Sequence, residues 1–504
     1  MKREQWNTRT GFILAAVGSA IGLGNIWRFP YITYENGGGA FLIPYLFAML
    51  SAGIPFMIME FSLGHKLRQA APGIFEQLGI SLNTRLQWLG WFQVMIAAVI
   101  GIYYVAIIGW SISYFGLSFT QNWGNDTNQF FFSQYLQLND HSPSQLGELL
   151  LHIAIPMLIA WSITFFAVYT GIKGGIEKAN KLLMPLLLIM VLFLISQTAF
   201  LPGAQDGLNY LFQPDFSQLF NPKVWSAAYG QIFFTLSVGF AIMFAYSSYL
   251  PTKSDINNNA IITVLVNCGF SILAGILIFS VLGHMADQQA QPVTNVISSG
   301  VGLAFVTIPE AITHLPIPYI LGPLFFFTLI VAGLSSHISI MEAVISAIID
   351  KTKYPRKKVA TLVCAIGVVI SLFFATNGGI LLLDLVDYFI NNLALLFSCL
   401  MEVTLIAWFI KATTIRFYAN QLSDFSLGKW LDLCLRFISP ALLLVILIRN
   451  LFNTLTQGYG EYALIEQLIL GWGLISLMLL ISLIIALCSK PIKPSPSITD
   501  ENPL

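Results

Sequence analysis

Gly18-Ser-Ala-Ile-Gly-Leu-Gly-Asn-Ile-Trp-Arg-Phe-Pro30 interrupts the first long apolar stretch of the chain. A spanning helix would run unbroken there, yet the segment carries three glycines within seven residues, then an asparagine, an arginine and a proline. In hydrocarbon every backbone N–H and C=O needs a partner, so unwound chain at that depth survives only around a cavity or a ligand. A helix broken here presents bare carbonyls and half-helix ends, groups suited to a desolvated cation and to a carboxylate. The competing explanation is a glycine-rich face packed closely on a neighbouring helix.

The 504 residues are 56% hydrophobic and 10% charged, with a formal net charge of zero. Soluble domains carry roughly a quarter charged residues, so this is the composition of a polytopic membrane protein whose partner is the lipid bilayer. No basic surface points to nucleic acid. The five cysteines, Cys268, Cys364, Cys399, Cys434 and Cys488, lie in apolar segments without the spacing of a metal site or a disulfide framework. Met1-Lys-Arg-Glu leads straight into the broken segment, so no removable signal peptide is expected.

About twelve stretches are long and apolar enough to span: 9–34, 39–66, 86–118, 148–168, 178–200, 224–250, 256–284, 319–350, 358–376, 380–411, 430–450 and 464–488. The tenth is the weakest, with Asp384 and Asp387 in its first turns, and the connection before the eighth has a part-helical pattern over Thr294–Thr313. Lys and Arg crowd alternate connections, while 119–147 and 285–318 hold none. By the positive-inside rule both termini face the cytoplasm.

Gln231-Ile-Phe-Phe-Thr-Leu-Ser-Val-Gly-Phe240 places Thr235, Ser237 and Gly239 in the middle of the sixth stretch. Stretches one and six are thus both interrupted, five helices apart. A repeat of five helices inserts its second copy upside down, the plan of secondary transporters with the site where the broken helices meet. The expected division is 1–200 and 201–415 for the two repeats, 416–490 for two appended helices, and 491–504 for a disordered cytoplasmic tail.

Trp6, Gly18 to Pro30, Glu35-Asn-Gly-Gly-Gly-Ala-Phe41, Gln231 to Phe240 and Ala332-Gly-Leu-Ser-Ser336 closely resemble the neurotransmitter:sodium symporter family. The resemblance runs nearly continuously through the first ten stretches. It implies an all-α integral membrane protein of the LeuT type, with a 5+5 inverted repeat and broken helices 1 and 6. The implied activity is uptake of a small amino-acid-like solute driven by sodium.

The resemblance also implies two sodium sites built from the hard oxygen ligands such a cation prefers. One would use Ala20, Asn25, Thr235 and Asn267, completed by the substrate carboxylate. The other would use Gly18, Ile21, Ala332, Ser335 and Ser336. The substrate pocket would join Ser19, Ala20, Gly22, Gly24, Ile100, Tyr104, Phe234, Thr235, Ser237, Phe240, Ser336 and Ile340. Half-helix N-termini favour a carboxylate, and Tyr104 can donate to it. Amine transporters resembling this chain carry aspartate at the position of Gly22. The glycine therefore implies a substrate bringing its own carboxylate, an α-amino acid. Ile100, Phe240 and Ile340 suit a small to medium neutral side chain.

Arg28 and Asp387, above the aromatic lid of Tyr104 and Phe234, would form an outer gate. Arg3 and Asp350, beside Trp6, Ser248 and Tyr249, would form an inner one. Glu60 and Glu342 lie inside apolar stretches and need partners or a water path. His337, following the paired serines, is either a packed neutral side chain or a source of pH sensitivity. Gln231 and Thr235 are i,i+4, as are Asn267 and Ser271, so each pair faces one way. With Tyr45 they offer donors for an anion. Chloride-independent relatives carry a carboxylate at the position of Ser271, so the serine implies chloride dependence.

The expectation is a symporter importing a neutral amino acid by alternating access with two Na+ and with Cl−. The alternatives are a sodium-conducting channel or a non-transporting amino-acid sensor on the same fold. A channel needs one continuous pore, which two gates oppose, and a sensor would add a soluble signalling domain. No nucleophile–base pair or metal cluster points to an enzyme. The loop after the third stretch is short and free of cysteine, unlike the disulfide-bearing loop of animal relatives, so a bacterial inner membrane is expected. The amino acid, the oligomeric state and a second substrate site are left open.

Overall fold

The computed structural model describes residues 3–81, 85–138, 141–214, 216–293 and 300–489. Among them the chain is helical almost throughout. Ten helices are long and apolar enough to cross a membrane, and a bent pair, Arg9–Ala20 with Gly24–Glu35, makes an eleventh, span 1. The halves of span 1 meet at 55°. Spans 2 to 5 are Gly39–Leu67, Gln87–Leu117, Leu151–Tyr169 and Ile172–Thr198. The sixth crossing is found as two shorter helices, Pro222–Thr235 and Ile242–Ser248. Spans 7 to 12 are Ile256–Gln288, Pro318–Thr352, Arg356–Ala375, Gly379–Leu422, Trp430–Gln457 and Leu464–Cys488. Spans 3 and 8 are the most enclosed and span 12 the least.

Three bounds differ most from expectation. Span 11 runs past residue 450 to Gln457. Span 5 begins at Ile172, because Ile172–Ile176 winds as a wide π turn that feeds the helix. Span 10 outruns residue 411: Lys411 takes a φ of 74° and the chain resumes as Ala412–Leu422. The connection before span 8 is helical over Leu303–Thr313. Residues 294–299 of that expected element lie outside the described residues, and so does the tail 491–504.

Both breaks are closed by side chains, most of them from other spans. In span 1 the Gly22 N–H donates to Asn25 Oδ1 at 2.9 Å and the Leu23 N–H to Tyr104 Oη at 3.0 Å. In span 6, Ser237, Gly239 and Ala241 all take positive φ, so residues 236–241 leave the helix. The Gly239 N–H donates to Glu60 Oε1 of span 2 at 2.7 Å, and its carbonyl accepts from Ser398 of span 10 at 2.8 Å. The Glu60 carboxyl also meets that of Glu402, itself bound by Gln93 at 2.7 Å. Gly239 has φ +80°, and a Cβ there would lie 2.1 Å from Cys399 Sγ.

The segment before span 1 and the start of span 5 cap each other. Glu4 accepts from the Ile172 N–H at 2.8 Å, and Glu177 accepts from the Asn7 N–H at 2.8 Å and Thr8 Oγ1 at 3.0 Å. Carboxylates at helix N-termini are favourable. The two helices approach closely because Gly11 faces Glu177 and Gly18 faces Asn180 and Met184.

Glu60→Leu strands the Gly239 N–H in hydrocarbon, a loss of about 1–3 kcal/mol. It is expected to lower the unfolding temperature of the purified protein by several degrees. Glu60→Gln keeps an acceptor for Gly239 and should lose clearly less.

Candidate functional site

The breaks of spans 1 and 6 face one another beside spans 3, 7 and 8. On one side of span 1, Ser336 Oγ lies 3.4, 3.3 and 3.1 Å from the carbonyl oxygens of Gly18, Ser19 and Ile21. One hydroxyl proton cannot serve three carbonyls, so the cluster has acceptor capacity to spare. Ser335 Oγ donates back to the Ala332 carbonyl at 2.9 Å, one turn away on span 8. Gly18, Ile21, Ala332, Ser335 and Ser336 are the residues expected for the second sodium, and Ser19 joins them here.

On the other side, Asn25 Nδ2 lies 2.9 Å from Thr235 Oγ1, 3.0 Å from Asn267 Oδ1 and 2.8 Å from Ser271 Oγ. Asn25 Oδ1 is fixed by the Gly22 N–H, which settles the orientation of the amide. Its two amide protons again face more oxygens than they can satisfy. Tyr45 Oη donates to Ser271 Oγ at 3.3 Å, while among the described residues neither polar atom of the fully buried Gln231 amide has a partner.

Every residue expected to touch substrate lines one cavity of about 580 Å³. Gly22 and Gly24 leave it room: a Cβ at 22 would lie 2.8 Å from Ser336 Oγ and 2.9 Å from Tyr104 Oη, and one at 24 would lie 2.5 Å from the Phe234 ring. Ile100, Phe240 and Ile340 are part of its apolar lining, and Ser237 donates to the Ser19 carbonyl at 3.0 Å. The cavity continues past Arg28 and Asp387 to Glu35, Lys223, Asp384 and Arg449.

The two expected gates differ. Arg3 binds both oxygens of Asp350, at 2.6 and 2.8 Å, and Ser248 Oγ at 2.6 Å, with its guanidinium 4.8 Å from the Tyr249 ring. Trp6 Nε1 donates to the Tyr246 carbonyl at 2.9 Å and seals that end. Among the described residues no ion pair joins Arg28 to Asp387. Arg28 instead lies 4.0 Å over Phe234, and Asp387 Oδ1 accepts from Tyr103 and Asn391.

The buried carboxylates have partners. Glu342 holds Arg356 at 2.6 and 2.8 Å and Tyr249 at 2.8 Å. His337 is fully buried, with Nε2 3.0 Å from the Gly101 carbonyl and Nδ1 2.8 Å from Thr164 Oγ1. A carbonyl partner requires the proton on Nε2, and Nδ1 then accepts from the threonine, the pattern of a packed neutral imidazole. Sequence reasoning missed Tyr103, Asn391, Glu402, Arg356 and Glu4. The i,i+4 spacing of Asp387 and Asn391 was the available signal for one of them.

Residues 3–129 and 123–491 match the model of the sodium:neurotransmitter symporter family. The chain belongs to that family. A sodium-dependent transporter of Methanocaldococcus jannaschii, itself uncharacterized, is 42% identical over 486 residues, 96% of this chain and 98% of the relative. The sodium-dependent dopamine transporter of Bos taurus is 32% identical over 97% of this chain and 75% of its own length. The sodium- and chloride-dependent GABA transporter 2 of Homo sapiens is 31% identical over 88% and 79%. As a sodium:neurotransmitter symporter the chain is a multi-pass membrane transporter and not an enzyme.

Overpacking a filled site costs about 1–3 kcal/mol, of the order of tenfold in an equilibrium. Gly22→Ala is therefore expected to reduce sodium-driven substrate uptake about tenfold. Gly116→Ala, where no atom lies within 4 Å of the added carbon, should leave uptake unchanged.

Proposed function

We propose that the chain imports a small to medium neutral α-amino acid by sodium-coupled alternating access. The observation that carries this reading is the meeting of two helix breaks at one cavity, flanked by two clusters with more oxygen acceptors than donors. Ala20, Asn25, Thr235 and Asn267 would hold one Na+, completed by the substrate carboxylate. Gly18, Ile21, Ala332, Ser335 and Ser336 would hold the other. The α-carboxylate would lie against Gly22, Gly24 and Tyr104, with the side chain toward Ile100, Phe240 and Ile340. Arg28 and Asp387 would close the cavity over it, and Arg3 and Asp350 would open the opposite end. The unequal states of these two pairs support alternating access.

Chloride would sit among Tyr45, Gln231, Thr235, Asn267 and Ser271. The unpartnered Gln231 amide supports this, because a buried donor without an acceptor is costly. The positions of Lys and Arg favour both termini cytoplasmic, the short cysteine-free loop after the third span favours an inner membrane of a bacterium, and the repeats are proposed at 1–200 and 201–415, with the last two spans appended.

The driving force suffices. A tenfold gradient supplies about 1.4 kcal/mol and 100 mV about 2.3 kcal/mol per charge. Two sodium ions thus supply roughly 7 kcal/mol, enough to concentrate a zwitterion over a thousandfold even if chloride returns part of the electrical share.

Proteoliposomes given labelled amino acids and an inward sodium gradient should accumulate a neutral one, whereas a potassium gradient should not drive it. Asn25→Ala or Thr235→Ala should abolish accumulation, and binding without accumulation would point to a sensor. Replacing chloride with gluconate should reduce uptake; undiminished uptake rules out the chloride site.

A further inference from the structure

Asp387 is not a free carboxylate waiting for a partner. Tyr103 Oη of span 3 donates to its Oδ1 at 2.7 Å, and Asn391 Nδ2, one turn along span 10, donates to the same oxygen at 2.7 Å. Asn391 Nδ2 also lies 3.3 Å from Tyr103 Oη, so the three groups form a closed triangle. Neither donor touches Oδ2. Residues Ile390–Ala394, which include Asn391, wind as a π turn that begins three positions after Asp387, a local widening that recurs at functional sites.

Two complementary hydrogen-bonding groups belong to residues that line the same cavity. Among the described residues, Asn391 Oδ1 is buried without a donor and Arg28 Nη1 is buried without an acceptor. The Arg28 guanidinium rests over the Phe234 ring, a weaker partner for a desolvated cation than a carboxylate. A guanidinium presents its N–H groups as a planar fork, so two acceptors side by side suit it better than one.

We propose that Tyr103 and Asn391 are positioning residues of the outer gate. They pin Asp387 through Oδ1, leave Oδ2 turned to Arg28, and Asn391 supplies its own carbonyl oxygen as the second prong of the landing site. Closure then moves Arg28 from the ring of Phe234 onto a pair of acceptors already in place, with little ordering left to do at that moment. This rests on the reading of Arg28 and Asp387 as a gate.

The test follows release of trapped solute. Protein loaded in sodium with a mixture of tritiated neutral amino acids is diluted into the unlabelled mixture, and loss of bound label is timed. Tyr103→Phe and Asn391→Leu are each expected to speed release about tenfold, the scale of one hydrogen bond to a charged group. The sodium concentration giving half-maximal binding should not move in Tyr103→Phe, whereas general loosening of span 3 would shift it. Asp387→Ala should also speed release, and Tyr103→Phe added to it should change nothing further, because the two act as one unit. Wild-type release in Tyr103→Phe, or additive effects in the double variant, would overturn the proposal. Unaltered release in Asp387→Ala would remove the gate itself and this inference with it.

Discussion

A backbone that leaves the helix inside a bilayer must hand each freed N–H and C=O to something other than water. The rest of this structure follows from how spans 1 and 6 meet that demand. Tyr104 and Asn25 take the amides of Leu23 and Gly22, and Glu60 and Ser398 take the amide and carbonyl of Gly239. Spans 2, 3 and 10 are thereby tied to the breaks by buried side chains, since no other partner exists at that depth. The supply is uneven. The amides of Gly22, Leu23 and Gly239 each have one acceptor, while the carbonyls of Gly18, Ser19 and Ile21 share the Ser336 hydroxyl, with Ser237 as a further donor to Ser19 alone. That leftover acceptor capacity is what a cation can use.

The two ends of the cavity differ for an electrostatic reason. At the end bearing Arg3, the pairs Arg3–Asp350 and Arg356–Glu342 are largely buried, and Lys351 meets Glu76 beside them. Removing one partner from such a pair costs about 3–5 kcal/mol, so this end opens only if the whole group of pairs rearranges. Glu4 links it to span 5 by holding both Arg356 and the Ile172 N–H. At the other end Asp387 is held by a hydroxyl–amide pair, while Arg28 rests on a ring that leaves its Nη1 without an acceptor among the described residues. At one end the ion pairs are made; at the other, among the described residues, none joins Arg28 to Asp387.

Much of this was legible in the chain. Glycines and proline inside an apolar run reveal a break, because no lipid-facing helix tolerates them without compensation, and the breaks lie where Gly18–Pro30 and Gln231–Phe240 put them. Glu60 and Glu342 announced buried partners by charge alone. The partners themselves were not legible. Glu402 and Gln93 lie far from Glu60 in sequence, and Arg356 reads as one more basic loop residue until its guanidinium is seen on Glu342. The start of span 5 at Ile172 and the helix after Lys411 were also hidden. Polar and glycine-rich stretches take their helicity there from packing rather than from apolar pattern.

The central claim is that the two breaks are ion seats and not merely flexible joints. Hydrogen–deuterium exchange of the purified protein, in sodium and in equimolar potassium without added amino acid, tests it most directly. The account predicts that sodium slows exchange in peptides covering 18–25 and 236–241 while the outer spans are unaffected. Equal exchange in both salts across those segments would contradict it.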